Sequence, residues 1–378
     1  MHATLYDFSP VFRMLVAGML LASGPLLWVY VRHRAANPIG RLHALVLVIL
    51  FLTFDLVMFG AFTRLTDSGL GCPDWPGCYG SATPFGAGTE ITAAQSAMPT
   101  GPVTHGKAWV EMVHRYLAMG VGGLILVLAV VAWTQRRLTK AQTGIGPWWP
   151  SVTLVWVCIQ GAFGALTVTM KLFPAIVTLH LLGGYVLLAL LVVQACALAR
   201  HAGPQPRAVV GRAVRWALGA GLALLVLQAA SGAWVSTNYA VLACSEFPKC
   251  QGSWWPEMDF VGAIEIWRPL GIAHDGEHVS FQALTAIHFF HRLLAVFTLL
   301  ALASVTWRLW RLPALRKPTR LLATLLVLQL ATGLSNVVFG WPLVAAVLHT
   351  GGAGALVVVM VWLRCETQSD APYPAVVT

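Results

Sequence analysis

Charged residues are what this 378-residue sequence has least of. Only 10% of its residues are Asp, Glu, Lys or Arg, whereas 58% are hydrophobic, and the mean hydropathy is +0.74. No polar stretch is long enough to form a separate soluble domain. This composition is typical of a polytopic membrane protein. The net charge of +10 does not indicate nucleic-acid binding, because the Lys and Arg residues cluster in short loops between apolar segments.

The sequence also lacks the features of a cleaved targeting segment. No basic region precedes the first apolar run, and no small-residue cleavage site precedes Arg32-His33-Arg34. No Arg-rich amphipathic transit peptide is present either, which favours a bacterial inner membrane over an organelle. We therefore expect the first apolar segment to be retained as a transmembrane helix.

Apolar segments of about 20 residues, enough to cross a bilayer, recur along the whole chain. Basic residues cluster after every odd-numbered segment, so the positive-inside rule predicts a periplasmic N-terminus and a cytoplasmic C-terminus. The nine predicted segments are 11–31, 42–63, 108–133, 150–170, 175–198, 213–236, 283–307, 321–340 and 343–363.

The last eight segments contain an internal repeat. Gly60-Ala61 and Gly232-Ala233 each lead into a cysteine pair, and Gln160 and Gln329 each stand twenty residues before a histidine. The predicted fold is therefore an all-α polytopic membrane protein: two tandem four-helix bundles related by pseudo-two-fold symmetry, plus one extra N-terminal helix. The predicted divisions are an accessory helix (1–41), an N-terminal half (42–198), a cytoplasmic linker (199–212), a C-terminal half (213–363) and a cytoplasmic tail (364–378).

Five histidines lie inside apolar spans, where ionisable side chains are costly and usually functional. One of them is His288, and the other four repeat between the halves: His114 and His180 in the first, His291 and His349 in the second. All four are predicted on the order of 8–9 Å below the outer boundary. Two imidazoles on either side of a porphyrin give bis-histidine haem ligation, whereas zinc is disfavoured because each half supplies only two such ligands. The alternative is that the histidines only hydrogen-bond between helices.

Charged neighbours distinguish the two sites. Arg115 and Arg292 directly follow a histidine and suit pairing with haem propionates, or they snorkel to lipid headgroups. Glu111 lies one turn before His114 and shares its helical face. Its carboxylate is predicted to move protons or to stabilise developing positive charge, unless it only orients a ligand or pairs with Arg115. Because the second half has His288 instead, we expect the reaction in the first half and a permanent haem in the second.

Two cysteine pairs, each with five residues between its members, lie in loops predicted to be outside. That compartment is oxidising, so both Cys72/Cys78 and Cys244/Cys250 are predicted to form disulfides. A structural role is favoured for the second pair. For the first pair a redox or substrate role stays open.

The sequence resembles the haem A synthase family from about residue 41 to 363. The resemblance rests on Glu111-Met-Val-His114-Arg115, Thr63-Arg64-Leu65-Thr66 with Cys72/Cys78, His180, Cys244/Cys250, His291-Arg292 and His349. It implies oxidation of the C8 methyl group of haem O to a formyl group, giving haem A for terminal oxidases. The family core has eight helices, so the resemblance supplies no role for segment 11–31.

The resemblance also implies a division of labour. Haem O is expected at His114 and His180, with Arg115 near it and Glu111 at the reacting methyl group. Bound haem b is expected at His291 and His349, with Arg292 as the propionate candidate. The expected partners are haem O, a haem O synthase (protohaem farnesyltransferase), membrane lipid and a second copy of the chain, with no nucleic acid.

Two other classes of protein remain as alternatives. A di-haem electron carrier of the cytochrome b type would place its haems near opposite membrane faces, whereas all four histidines here are predicted on one side. A transporter built from repeats would not require paired His-Arg sites or outer disulfides.

Overall fold

The computed structural model describes residues 9–139, 146–203 and 206–369. The predictions for residues 1–8, for 204–205 of the linker and for 370–378 of the tail lie outside the described residues. The helices are α1 (Ser9–Arg32), α2 (Pro38–Leu65), α3 (Gly88–Ala97), α4 (His105–Thr139), α5 (Trp148–Thr169), α6 (Pro174–Ala202), α7 (Arg212–Thr237), α8 (Phe260–Ala263), α9 (Phe281–Leu309), α10 (Arg316–Val338) and α11 (Leu343–Glu366). Two short strands, β1 (Ala208–Val210) and β2 (Thr367–Ser369), pair in parallel.

Within the described ranges, nine helices are long and apolar enough to cross a membrane; only α3 and α8 are not. The prediction of an all-α polytopic membrane protein is therefore confirmed. Capping residues define several of the helix starts. Asn37 accepts a hydrogen bond from the Gly40 N–H ahead of Pro38, and Ser280 accepts one from the Ala283 N–H.

Helix α4 begins earlier than predicted, at His105 rather than at residue 108. The hydroxyl of Thr104 accepts a hydrogen bond from the Lys107 N–H at 3.2 Å, which caps the polar first turn. Hydropathy alone missed this turn because it contains no run of apolar residues. His114 therefore lies nine residues after the first residue of its helix.

The helices of each half pack in the same pairs. In the first half α2 and α5 each contact both α4 and α6; in the second half α7 and α10 each contact both α9 and α11. Helices α6 and α11 contact each other across the boundary between the halves. In addition, α6 contacts α7 of the second half, and α11 contacts α2 of the first half. One apolar core containing Tyr185, Leu188, Leu302 and Leu356 consequently spans both halves. The pseudo-two-fold relation between two bundles stays a prediction.

Helix α1 lies against α4. A Cβ atom at Gly18 would come within 2.6 Å of the Met119 Cβ atom, so a side chain larger than hydrogen would force the two helices apart. The buried side chain of Met14 packs with the Cys72/Cys78 loop and Met112. The helix outside the repeat is therefore part of the wall of the first half.

The sequence analysis missed two small elements. Helix α3 lies in the long loop before α4, where Ile91 is fully buried. Strands β1 and β2 join the linker to the end of α11, with Val209 paired to Gln368. Neither element has an apolar run long enough to stand out beside the membrane-spanning segments.

A polar cluster ties the two halves together at the ends of α2 and α7. Arg64 donates to the Ser236 carbonyl at 2.7 Å and lies over the Tyr239 ring, 4.0 Å from its centroid. The Tyr239 hydroxyl donates to Asp67 at 2.9 Å, and Lys107 forms an ion pair with Asp67 at 3.1 Å. Burial raises the pKa of Tyr239 and Asp67 adds to the rise, although Arg64 opposes it.

Candidate functional site

A cavity of about 1460 Å³ lies between the two halves. It exceeds the roughly 300–1,000 Å³ of an ordinary small-molecule site, so it has room for more than one such ligand. Most of its lining is apolar. The predicted site residues that line it are Glu111, His114, Arg115, His180, His291, Arg292 and His349.

Each histidine ring packs against a glycine of another helix. At Gly232 a Cβ atom would lie only 2.8 Å from Cε1 of His291, so a larger residue there would displace the ring. The four pairs are His114 with Gly60, His180 with Gly164, His291 with Gly232, and His349 with Gly333. The sequence analysis noted that part of this pattern repeats, but it did not recognise the glycines as ring contacts.

The structure brings the histidines together in the expected pairs. His114 and His180 are close enough to interact electrostatically, and so are His291 and His349. The two rings of each pair come from helices two apart in sequence, α4 with α6 and α9 with α11. Their role as iron ligands stays a prediction.

In the second half, two polar side chains surround the ring of His291. Ser231 Oγ lies 2.9 Å from Nδ1 and donates its own hydrogen to the Gln228 carbonyl at 2.9 Å. The side-chain amide nitrogen of Gln228, which can only donate, lies 3.1 Å from the same Nδ1 and 3.4 Å from Nε2. The two side chains therefore hold the ring in place without selecting one tautomer.

His349 also has a hydroxyl beside its ring. Thr332 Oγ1 lies 3.0 Å from Nδ1 of His349 and donates to the Leu328 carbonyl at 2.8 Å. With its own hydrogen used in this way, the threonine oxygen accepts the Nδ1 proton, which leaves Nε2 of His349 with a free lone pair. Both imidazoles of the second half thus have a hydroxyl beside Nδ1, supplied by the preceding helix of the repeat.

The first half has aromatic rings where the second has these hydroxyls. Phe59 stands in the place of Ser231 and Phe163 in the place of Thr332. The Phe59 ring stacks on His114 with centroids 6.3 Å apart and an interplanar angle of 8°. Nδ1 of His180 is buried near the Gln160 carbonyl, but it has no hydrogen-bond partner among the described residues. Aligning the two halves of the sequence would have revealed this difference.

Glu111 is anchored on both of its oxygens. It is 4% exposed; Oε1 accepts from Arg115 at 2.6 Å and Oε2 from the Cys72 N–H at 2.8 Å. Arg115 also donates from Nη1 to three loop carbonyls, those of Asp74, Pro76 and Gly77. The carboxylate therefore connects helix α4 to the loop closed by Cys72 and Cys78.

Arg292 binds the second loop in the corresponding way. It donates to the carbonyls of Cys244, Glu246 and Lys249. His288, in the place of Glu111, forms a hydrogen bond with the Ala240 carbonyl at 3.1 Å and accepts one from Arg292 Nε at 3.3 Å. Both arginines are thus engaged with loop carbonyls, and their predicted role toward propionates stays a prediction.

Both predicted disulfides are present, Cys72–Cys78 and Cys244–Cys250, with S–S distances of 2.10 and 1.99 Å. Each closes the loop that its arginine binds. The redox role suggested for the first pair stays a prediction. Together, the fold and the site define a polytopic membrane protein in which two similar halves each present a pair of histidines to a shared cavity.

Comparison with known proteins places this class in a family. The family model COX15-CtaA, described as cytochrome oxidase assembly protein, matches residues 43–361. The chain belongs to this family, which confirms the resemblance noticed in the sequence. The matched region begins after α1.

Several curated relatives are similar over most of their length, and each is named Heme A synthase. The protein from Shewanella oneidensis is 37% identical over 329 residues, covering 84% of this chain and 94% of the relative. The Halalkalibacterium halodurans protein is 28% identical, covering 84% and 92%, and the Rhizorhabdus wittichii protein is 28% identical, covering 87% and 95%.

Proposed function

We propose that this protein is a haem A synthase, an oxidoreductase that converts the C8 methyl group of haem O to a formyl group and so makes haem A for terminal oxidases. The observation that carries the proposal is one cavity lined by two histidine pairs, only one of which has a carboxylate beside it. Family membership and the names of the relatives support the same activity.

The second half is proposed to hold haem b through His291 and His349. The residues fit that group, because the hydroxyls of Ser231 and Thr332 lie beside Nδ1 of the two rings, where each could accept the Nδ1 proton of an iron-binding imidazole. Glycines 232 and 333 allow the rings to lie close to the neighbouring helices. Bound there, haem b would supply one-electron transfer.

The first half is proposed to bind haem O between His114 and His180. The product must leave this site, and ligands without hydrogen-bonded partners suit exchange better than ligands that are rigidly held. Glu111 is proposed to lie beside the reacting methyl group, where its charge stabilises positive charge that develops during oxidation. Its bonds to Arg115 and Cys72 favour this electrostatic role over proton transfer, because protonation would weaken both.

The remaining assignments belong to the same proposal. Residues 42–198 form the substrate half and 213–363 the haem b half, with 1–41 as an accessory helix, 199–212 as a cytoplasmic linker and 364–378 as a cytoplasmic tail. The protein lies in a bacterial inner membrane with the haem sites near the periplasmic side. It receives haem O from a haem O synthase and associates with lipid and with a second copy of itself.

Pigment analysis of the purified protein tests the proposal. We expect haem b in the protein as isolated, and haem A after haem O and a reductant are supplied in air. A protein that binds only haem b and leaves haem O unchanged would instead be a di-haem carrier. A protein without any haem would contradict both functions.

A further inference from the structure

Equivalent positions in the two halves differ sharply in size on the cavity wall. When His114 is matched with His291, and Gly164 with Gly333, three small residues of the first half correspond to leucines of the second. Gly122, Gly161 and Ala165 stand where Leu299, Leu330 and Leu334 stand, and all six line the cavity. The two halves therefore offer different amounts of free space next to similar histidine pairs.

Helix packing does not require the two glycines. A Cβ atom at Gly122 or at Gly161 would meet no atom within 4 Å, unlike Gly18 at the contact between α1 and α4. Open helical glycines also occur outside the cavity, as at Gly219, so openness alone does not identify a ligand site. At Gly122 and Gly161 the open space belongs to the cavity that contains the histidine pair, and leucine fills the equivalent positions of the second half.

The open space extends into a groove between α4 and α5. Leu126 and Leu154 line both the main cavity and a second pocket of about 370 Å³, which continues to Val130 and Trp133. From Gly122 to Val130 the groove follows α4 for about 12 Å. We call this groove, with the space beside Gly122 and Gly161, the apolar arm.

Helix α1 closes part of the arm. Leu15 and Met19 line the cavity on the side of α4, and Met19 Sδ lies 3.4 Å from where a Cβ atom of Gly123 would be. Because α1 lies outside the repeat, it adds a wall to the first half alone. The second pocket is polar at its far end, where it is lined by Thr134, Arg137 and Ser151. The arm is consequently elongated, apolar next to the histidine pair and polar at its other end.

A buried polar atom lines the main cavity on the side of α6, where the Gln160 side chain packs against Gly183. Gln160, next to Gly161, is 7% exposed, and its Oε1 has no hydrogen-bond partner among the described residues. A buried acceptor without a donor is costly, so a ligand hydroxyl at this point would be favourable. Gln329 also has an unpaired Oε1, although its amide donates to the His349 carbonyl. Both halves therefore have a glutamine with an unpaired oxygen, and it is the open space beside Gly122 and Gly161 that distinguishes the first half from the second.

We propose that the apolar arm binds the hydroxyethylfarnesyl chain of haem O, with its hydroxyl donating to Gln160 Oε1. This inference rests on the proposed function. Haem O differs from haem b in carrying this long isoprenoid chain in place of a vinyl group. The arm admits the chain to the first half, and Leu299, Leu330 and Leu334 exclude it from the second, so only the first half takes haem O.

Filling the arm tests the inference. Purified protein with its resident haem b is titrated with haem O, and separately with haem b as a probe that has no tail; the bound pigments are extracted and separated. In Gly161→Leu and Gly122→Leu we expect haem O affinity to fall at least about tenfold, because the new side chain takes the space of the tail. Uptake of the tail-less probe and the resident haem b content should match wild type.

A matched variant and a converse variant sharpen the test. Gly219 lies on α7, outside the cavity, and a Cβ atom there would also meet nothing within 4 Å, so Gly219→Leu should bind haem O as wild type does. Leu330→Gly should allow haem O into the second half at the expense of haem b. Loss of resident haem b would reveal a glycine variant that fails to fold. In that case the Leu330→Gly variant still tests the inference independently.

The outcomes separate the inference from the proposed function. If wild type binds haem O and both glycine variants bind it equally well, the inference is wrong and the proposed function stands. A Leu330→Gly variant whose second half takes only haem b also contradicts the inference. If wild type takes up no haem O at all, the proposed function itself fails.

Discussion

The two halves of this protein share a scaffold but surround their histidines differently. In the second half, the hydroxyls of Ser231 and Thr332 lie beside Nδ1 of both rings; in the first half, Phe59 and Phe163 stand at those positions and offer no acceptor. Metal-binding histidines usually depend on such acceptors for orientation and basicity. Under the proposed function, this difference would allow one half to retain its porphyrin and the other to exchange it.

The halves agree, by contrast, in how they attach their loops. Arg115 and Arg292 both donate to carbonyls of a loop closed by a disulfide. The partner of the arginine differs, since Glu111 adds a negative charge to the first half where His288 forms only hydrogen bonds. The contact between an arginine and a disulfide-closed loop is thus common to both halves, whereas the charge beside the cavity differs between them.

Removing one ligand from each half should give the largest effect. We expect His291→Ala to lose haem b, because a single remaining imidazole cannot form the bis-histidine site, and His114→Ala to keep haem b but lose haem O binding. Extracted pigment and the visible spectrum measure both. His274→Ala, in an exposed loop, serves as the control. Haem b content that is unchanged in His291→Ala would contradict the division between the halves.

Glu111→Ala should leave haem b and haem O bound while reducing haem A formation at least about a hundredfold, the usual loss when a charge-stabilising group is removed. Glu111→Gln keeps the hydrogen-bond geometry without the charge and should be impaired as well. Product analysis after one turnover measures the effect, with Glu90→Ala on exposed α3 as control. Normal haem A production by Glu111→Gln would rule out the electrostatic role.

Loss of a hydroxyl acceptor should have an intermediate effect. Ser231→Ala and Thr332→Ala each remove the hydroxyl beside a histidine Nδ1, so we expect haem b affinity to fall about 10–100-fold and its reduction potential to change. Transfer of haem b to apomyoglobin and a redox titration provide the measurements. Ser231→Thr keeps a hydroxyl at this position and should retain the wild-type haem b affinity and reduction potential. Ser304→Ala, at an exposed position of α9, should also leave both unchanged. A wild-type transfer rate in Ser231→Ala would show that the contact does not tune the site.

The smallest expected effect concerns the contact between the halves. The raised pKa of Tyr239 means that the folded protein keeps the phenol proton above pH 10.0, where the unfolded chain loses it. Its contribution to stability is therefore complete below that pH and is lost as the pH rises through the folded-state pKa. Tyr239→Phe should cost less than about 1 kcal/mol and flatten the alkaline decline in the thermal unfolding midpoint. Tyr30→Phe is the control; parallel declines in wild type and Tyr239→Phe would contradict the expectation.

The sequence was sufficient for features that depend on local composition. Hydropathy predicts the nine helices of the described residues that are long and apolar enough to cross a membrane, and both disulfides were predicted from cysteine pairs in loops expected on the oxidising side. The beginning of α4 was missed because Thr104 caps a polar turn. Helix α3 and the β1–β2 pair were missed because they are short and depend on contacts with distant parts of the chain.

The sequence by itself determined the membrane class, the repeat and the placement of one histidine on each of four helices, since these depend on hydrophobic length and residue order. Only the tertiary structure decided that Arg115 binds loop carbonyls, that Ser231 contacts the ring of His291, and that Gly122 and Gly161 border open space. The physical reason is that a hydrogen bond or a void depends on the approach of helices that are far apart in the chain. Residue order does not specify that approach until the whole molecule has packed.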